Sequence, residues 1–397
     1  MTATIVYSIS ATVGFAACAY WICWVQLRHH GEWTTNRAAT VGYSGLFGLA
    51  CLLSVPQVVA AADAVIGVDE LTRLFKHLCV LAVAACSQFQ LLYLAYPEGT
   101  ARSGIRRRLW AWLAAAALLV LMFVIVRDYP QPVQTKVEYA RVPAVTAYLG
   151  VYLAAMGWYA FDTARLCWRF SRITPRRWTG RGFRLTALGG CVTLAYCLTR
   201  AFYVLSYWVG DVPPGERIIS PVLVMTAGVL CMVGLSMPTW GPGIDAVARW
   251  RRYRRAYRTL YPLWSDLTRV TPDLVLDEQF RHGRAPLRDV EYALTRRVVE
   301  ICDARLALRP YIDADLATPV HGTDEDALAE AGRIAAGIQG RMGDQPAARP
   351  STDELYDAPG GYDGQVAWLV RVSAAYQSPL VARPRIDKRI DAPATVS

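Results

Sequence analysis

Seven apolar stretches alternate with short polar segments over the first 240 residues of the chain. Most of them hold about twenty residues, the length that an α-helix needs to cross a hydrocarbon core about 30 Å thick. Pro56 lies inside the second stretch and predicts a kink there. The pattern predicts seven transmembrane helices, at Ile5–Leu27, Ala39–Ala61, Thr72–Tyr93, Leu109–Val126, Ala144–Phe161, Phe183–Val209 and Ile218–Met237.

The residues after the seventh span predict a separate helical region. Gly241-Pro242-Gly243 is expected to break the helix, and Asp245 to cap a new one that runs towards Thr268. Trp250, Tyr253 and Tyr257 recur at helical spacing among arginines, which suits both the lipid headgroup layer and a packed core. We expect the early arginines on lipid and the later aromatic residues in the core.

Further apolar positions at helical spacing complete the predicted domain organisation. They predict helices at Asp289–Tyr311, Thr323–Met342 and Gly364–Tyr376, with Pro310 ending the first. The fold class is therefore all-α: a seven-helix transmembrane domain at 1–240, a small helical domain at 241–377 and a disordered tail at 378–397.

Arginines mark one side of the predicted bundle. The loops between spans 1 and 2, 3 and 4, and 5 and 6 are rich in arginine, whereas the other loops are mixed or acidic. The positive-inside rule then puts the N-terminus outside and the C-terminal domain in the cytoplasm. We expect a multi-pass protein of the plasma membrane whose arginine-rich loops contact anionic lipids. Because these loops account for the net charge of +10, no nucleic-acid partner is expected.

Missing residues exclude several functional classes. The seventh span has no lysine that could form a Schiff base with retinal. The 10 cysteines include no C-x-x-C pair, and most lie inside apolar spans as small packing residues. No glycine-rich phosphate loop and no recognisable nucleophile occurs. We therefore expect a protein without enzymatic activity, with no catalytic residue, no metal site and no cofactor.

Arg200 is the most informative polar residue within the spans. It lies about eight residues from the outer end of span 6, some 13 Å deep at about 1.5 Å per residue, where a cation avoids lipid. One hypothesis is a pocket that opens outward and binds an anionic or carboxylate-bearing ligand. The alternative is that Arg200 bonds Gln57 or backbone carbonyls while Lys76 and His77 mark the membrane interface. The candidate ligand-binding residues are Arg200, Gln57, Lys76, His77, Tyr203 and Tyr207.

Two weaker patterns occur in the same region. Gln88, Gln90 and Asp162 could form a second polar cluster on the inner side, although Asp162 is also expected to pair with Arg165 or Arg169. A shift of 145 residues places Trp33-Thr34 on Trp178-Thr179 and several residues of span 2 on span 6. Spans 1 to 3 and 5 to 7 would then be parallel repeats joined by span 4, as in some small transporters, although chance similarity explains the matches equally well.

Glu300 and Asp303 are the most prominent carboxylates of the helical domain. Their separation of three residues puts both on one helix face, the spacing of some helical metal sites, but no further ligand is evident. Ion pairs with neighbouring arginines are the favoured interpretation. We expect a structural role for Trp264, Glu300, Asp303, Arg309, Pro310 and Tyr311.

Two motifs in this domain carry a family resemblance. They are Leu263-Trp264-Ser265-Asp266-Leu267 and Glu300-Ile301-Cys302-Asp303-Ala304-Arg305-Leu306-Ala307-Leu308-Arg309-Pro310-Tyr311. The sequence resembles the actinobacterial seven-helix membrane proteins that are assigned as transporters and carry a cytosolic domain of unknown function. The resemblance implies this two-part architecture, and it supplies no activity, no substrate and no catalytic residue, since the transporter assignment of the family itself follows from membrane topology.

Two functions fit these observations. The first is a small-solute transporter with a pocket around Arg200 and a regulatory cytosolic domain. The second is a membrane sensor that binds a ligand or lipid and relays the signal through residues 245–377 to a cytosolic protein partner. The sequence favours the transporter by a narrow margin.

Overall fold

The chain folds into two units, residues 1–242 and 243–397. A computed structural model describes residues 2–29, 32–66, 71–127, 142–210, 213–274, 288–314, 322–351, 356 and 358–382. Within those ranges the regular structure is helical, apart from one isolated antiparallel bridge between Asp313 and Pro350. The predicted all-α class is therefore confirmed for this part of the chain.

The first unit is built from long apolar helices. They are α1 Thr2–His29, α2 Thr35–Leu52, α3 Pro56–Ile66, α4 Leu71–Ala95, α5 Glu98–Arg127, α6 Pro143–Ile173, α7 Arg177–Val209 and α8 Glu216–Thr259, which continues into the second unit. Six of the described helices are long and apolar enough to cross a membrane, or seven if α2 and α3 form one bent span. The protein is thus membrane-embedded, and six of the predicted spans each coincide with one helix.

The second predicted span is divided between α2 and α3. The two helices meet at an angle of 86° across Leu53–Val55. Pro56 lacks a backbone N–H and its ring disfavours the helical conformation of the residue before it, so α2 stops just before the proline. The predicted kink is present, but it is a break in the helix.

The predicted break at Gly241-Pro242-Gly243 is absent. Helix α8 runs without interruption from Glu216 to Thr259, and Asp245 lies inside it. Gly241 serves close packing, because a Cβ there would lie 2.4 Å from the Trp178 ring. Gly241 is therefore a contact residue inside the helix, because a glycine allows the Trp178 ring to approach the backbone closely.

Close approach of glycines sets the spacing of the membrane helices. A Cβ added to Gly14 of α1 would lie 2.7 Å from the backbone of Gly48 in α2. A Cβ added to Gly182 of α7 would lie 2.4 Å from the carbonyl oxygen of Gly234 in α8. Small residues favour helix association in lipid because they allow backbones to touch.

The second unit has its own apolar core. Its remaining helices are α9 Tyr261–Val270, α10 Val290–Ala307, α11 Asp324–Met342 and α12 Gly361–Tyr376, with short 3₁₀ turns at Pro272–Leu274 and Arg309–Tyr311. Pro310 lies in the 3₁₀ turn after α10. Because it has no N–H to donate, it cannot continue the α-helix. Thr323 and Asp326 form the capping box that starts α11. Of the predicted disordered tail, residues 383–397 lie outside the described residues.

Candidate functional site

Arg200 is paired with Glu216 inside the first unit. Arg200 projects from α7, and its guanidinium Nη1 forms an ion pair with Oε1 of Glu216, the first residue of α8. The Tyr207 hydroxyl donates a hydrogen bond to Oε2 of the same carboxylate, at 2.5 Å. The first turn of a helix favours a carboxylate because its free N–H groups carry partial positive charge. The Arg200 charge is therefore neutralised by the protein itself.

This pairing corrects one of the two sequence-based hypotheses about Arg200. Its hydrogen bond goes to Glu216 and not to Gln57 or a backbone carbonyl, while the outward-opening pocket stays a prediction. Gln57 is exposed on α3, whereas Tyr203 is buried in α7. Sequence reasoning did not single out Glu216, although only six residues separate it from the end of α7. That proximity was the signal that could have identified it.

His77 is buried between helices. Its Nδ1 lies 2.7 Å from the Tyr148 hydroxyl, and its ring stacks on Tyr152 with centroids 4.2 Å apart. Both tyrosines belong to α6, while His77 belongs to α4. His77 therefore contributes to helix packing. Lys76, next to it, is only partly buried.

Tyrosine hydroxyls connect His77 with the ion pair. Tyr196 on α7 is close enough to Tyr152 and to Arg200 for electrostatic interaction with both. We call this set the Arg200 cluster. Its members are His77, Tyr148, Tyr152, Tyr196, Arg200, Tyr207 and Glu216.

A second polar group joins α4, α5 and α6. Asp162 Oδ2 accepts hydrogen bonds from Arg108 Nη2 at 2.8 Å and from Gln88 Nε2 at 3.0 Å, and the Trp112 indole donates to Gln88 Oε1 at 3.0 Å. We call these four residues the Arg108 network. Asp162 thus pairs with Arg108 and not with Arg165 or Arg169. Gln90 lies apart from the network and donates to the carbonyl of Leu235 at 3.3 Å.

The chemistry of these two groups is that of recognition and packing. Each arginine is balanced by one carboxylate, so an anionic solute would have to compete with Glu216 or Asp162. Among the described residues, no three His, Cys, Asp or Glu side chains come together as a metal site requires. The Arg200 pair retains partial exposure, with 28% and 24% for the two side chains, whereas the Arg108 pair retains 13% and 19%. The Arg200 cluster is therefore the better candidate for ligand contact.

An arginine enclosed by aromatic rings organises the second unit. The guanidinium carbon of Arg297 lies 3.5 Å from the ring centre of Tyr257 and 4.6 Å from that of Trp264. Its Nη1 donates to the Tyr257 carbonyl at 2.7 Å, and the Trp264 indole donates to Glu300 Oε2 at 2.6 Å. We call these four residues the Trp264 cluster.

The electrostatics of the Trp264 cluster follow from burial. Burial lowers the pKa of the Arg297 guanidinium to about 10, while the adjacent Tyr257 hydroxyl and Glu300 carboxylate act in the opposite direction. The guanidinium is therefore still protonated at neutral pH. A cation between electron-rich ring faces is favourable, and desolvation strengthens the contact.

The part of the chain that contains the Trp264 cluster is similar to a known protein family. Residues 249–378 match a family of unknown function, DUF6545. The DUF6545 region covers the end of α8, all of α9 to α12 and every member of the Trp264 cluster. Comparison of the chain with curated proteins and with solved structures gave no match.

The other motif residues of the DUF6545 region lie outside the Trp264 cluster and have partners of their own or partial exposure to solvent. The Tyr311 hydroxyl accepts a hydrogen bond from Arg341 at 3.1 Å. Arg305 pairs with Glu330 of α11, and so does Arg333 at 2.6 Å. Asp303 is partly exposed and has no ion pair among the described residues. Sequence reasoning missed Glu330 and counted Arg297 only among the arginines near Glu300 and Asp303, because a charge on the core side of a helix is identified only by its partners on other helices.

Proposed function

We propose that this protein is a membrane sensor in which a ligand opens the Arg200–Glu216 pair and α8 carries the change to the DUF6545 region. One observation carries the proposal. Helix α8 holds Glu216 in its first turn and, without a break, holds Tyr253 and Tyr257 in the core of the second unit. A change in the position of Glu216 therefore acts on the same helix that forms part of that core.

The ligand side of the proposal rests on charge. An anionic or carboxylate-bearing solute can replace Glu216 on Arg200, because the guanidinium donates hydrogen bonds to any planar carboxylate in the same geometry. The ligand shifts the equilibrium between the state with the pair closed and the state with the pair open only as far as it binds the open state more tightly. Partial exposure of the pair gives the solute access, and the Tyr207 hydroxyl supplies a further donor.

The relay side rests on the continuity of α8. Coupling between two sites commonly amounts to about 1–3 kcal/mol, which a small shift of one packed helix can supply. We place the second unit in the cytoplasm, where the positive-inside rule puts it, and expect a protein partner to recognise its altered surface. The exposed arginines at the α6–α7 turn, such as Arg172 and Arg181, would contact anionic lipids on that side.

Hydrogen exchange of the full chain in lipid nanodiscs tests the relay. Glu216→Gln removes the ion pair and imitates the ligand-bound state, so we expect altered amide exchange in residues 249–378. Asp162→Asn is the matched control, because it disrupts the Arg108 network in the same unit without touching α8. Identical exchange of residues 249–378 in the wild type and Glu216→Gln would refute the relay.

A small-solute transporter is the second candidate, and equivalent contacts in the two halves of the bundle favour it. Cys86 of α4 packs on Gly42 of α2, and Cys231 of α8, 145 residues later, packs on Gly189 of α7. Parallel repeats of this kind occur in transporters, and the family resemblance points the same way.

Uptake of a panel of carboxylate solutes into proteoliposomes tests transport. The transporter hypothesis expects uptake by the wild type and its loss in Arg200→Ala, with membrane insertion unchanged. Uptake that does not differ between Arg200→Ala and the wild type would remove Arg200 from any transport pathway.

A further inference from the structure

The outward face of α10 has an unusual pattern. Tyr292, Val299 and Leu306 are 53%, 42% and 38% exposed, on the side of the helix opposite the core residues Leu294, Ile301 and Leu308. The outward face of a surface helix is normally polar. Three large apolar side chains at intervals of seven residues on such a face indicate a contact surface.

Two opposite charges complete the same row. Arg296 and Asp303 alternate with the apolar residues, so the five positions follow one another at steps of four, three, four and three residues. This is the spacing of a coiled-coil seam. Neither Arg296 nor Asp303 forms an ion pair within the described residues, and Arg296 lies 5.6 Å from the Tyr292 ring centre. We call this row the α10 seam.

We propose that the α10 seam binds the α10 seam of a second copy of this chain, with the two helices antiparallel. The charges determine the orientation. In an antiparallel pair, Arg296 of each copy lies within about one helical turn of Asp303 of the other, so two ion pairs form by symmetry. In a parallel pair, Arg296 would face Arg296 and Asp303 would face Asp303, which is unfavourable.

The size of the seam sets the expected strength. Helix α10 has 18 residues, so it is about 27 Å long at 1.5 Å per residue. A single helix pair buries less than a standard interface of about 1,600 Å². We therefore expect a reversible dimer whose formation depends on the high local concentration that a membrane provides.

Energy transfer between donor-labelled and acceptor-labelled full-length protein in liposomes measures this association. Arg296→Glu leaves two acidic residues facing each other, and Asp303→Arg leaves two arginines, so each variant alone should associate at least tenfold more weakly than the wild type. A mixture of the two variants restores both ion pairs, and its association should return to within threefold of the wild type. Arg258→Glu, an exposed charge change outside the seam, serves as control and should associate like the wild type.

The mixture makes the experiment decisive. Loss of folding in either variant could not be repaired by the other, so recovery in the mixture identifies the seam itself. The proposal is overturned if the wild type does not associate at any density, if the single variants associate like the wild type, or if the mixture is as weak as the single variants.

Discussion

Glu216 begins the helix that carries the second unit, and its carboxylate neutralises Arg200 on the preceding helix. A charge at membrane depth needs a partner, and here the partner comes from the neighbouring helix of the bundle. The pair therefore stabilises the first unit and also fixes the position of α8 relative to α7. This double role makes the pair a suitable point for a ligand to act.

Loss of one member of this pair should destabilise the first unit. Glu216→Gln leaves the guanidinium without its counter-charge, and we expect a loss of about 1–3 kcal/mol, below the roughly 3–5 kcal/mol of a fully buried pair because both side chains are partly exposed. Thermal unfolding in detergent measures this. The double variant Arg200→Gln/Glu216→Gln should lose less stability than the two single losses combined, and strictly additive losses would contradict a direct interaction.

The Trp264 indole should stabilise the second unit through its hydrogen bond to Glu300 as well as through the packing of its ring. Trp264→Phe keeps an aromatic ring but removes the N–H donated to Glu300, and a hydrogen bond to a charged group contributes about 1.5–3 kcal/mol. We expect faster cleavage of the second unit in limited proteolysis. Trp368→Phe is the control, since it shrinks another buried ring of the same core. Equal protease resistance of both variants would show that the indole bond contributes nothing.

Two glycines should respond in opposite ways to the same substitution. Gly182→Ala pushes a methyl group against the carbonyl oxygen of Gly234, and overpacking of this kind costs about 1–3 kcal/mol. Gly157→Ala meets nothing within 4 Å and should be neutral or slightly stabilising through helix propensity. Melting temperatures of the two variants in detergent provide the comparison, and similar values for both would argue against the α7–α8 contact.

The Cys302 thiol should react slowly with alkylating agents. Burial raises its pKa, so less thiolate is present near pH 8 than in the denatured chain, and the rate should still be rising above pH 9. The unfolded state loses this proton first, so the contribution of Cys302 to stability is fully present below its unfolded pKa and is lost as pH rises from there through its folded pKa. Mass spectrometry of iodoacetamide-treated protein follows the rate. A rate equal to that of the denatured chain at each pH would contradict the burial.

The spans were predictable because their signal is local. Twenty apolar residues in a row predict a membrane helix wherever the chain places it, and six of the seven predicted spans coincide with single helices. The bend near Pro56 was equally local. Such features need no knowledge of neighbouring helices.

The site was only half predictable because its geometry depends on neighbouring helices. Depth in the span identified Arg200, but Glu216 could be assigned only once α7 and α8 were side by side. Gly241 illustrates the same limit. A glycine between a proline and a tryptophan suggests a turn, yet the ring of Trp178 makes it a contact residue inside a continuous helix.

A helix break inserted into α8 tests whether this helix relays the change at Glu216 to the second unit. Two glycines inserted after Gly243 interrupt the helix at the boundary of the two units, and hydrogen exchange is then compared between this protein with and without Glu216→Gln. We expect that Glu216→Gln in the inserted protein still alters amide exchange around Arg200 but no longer alters it in residues 249–378. If residues 249–378 respond to Glu216→Gln as strongly with the insertion as without it, the signal does not pass through α8 and the relay is wrong.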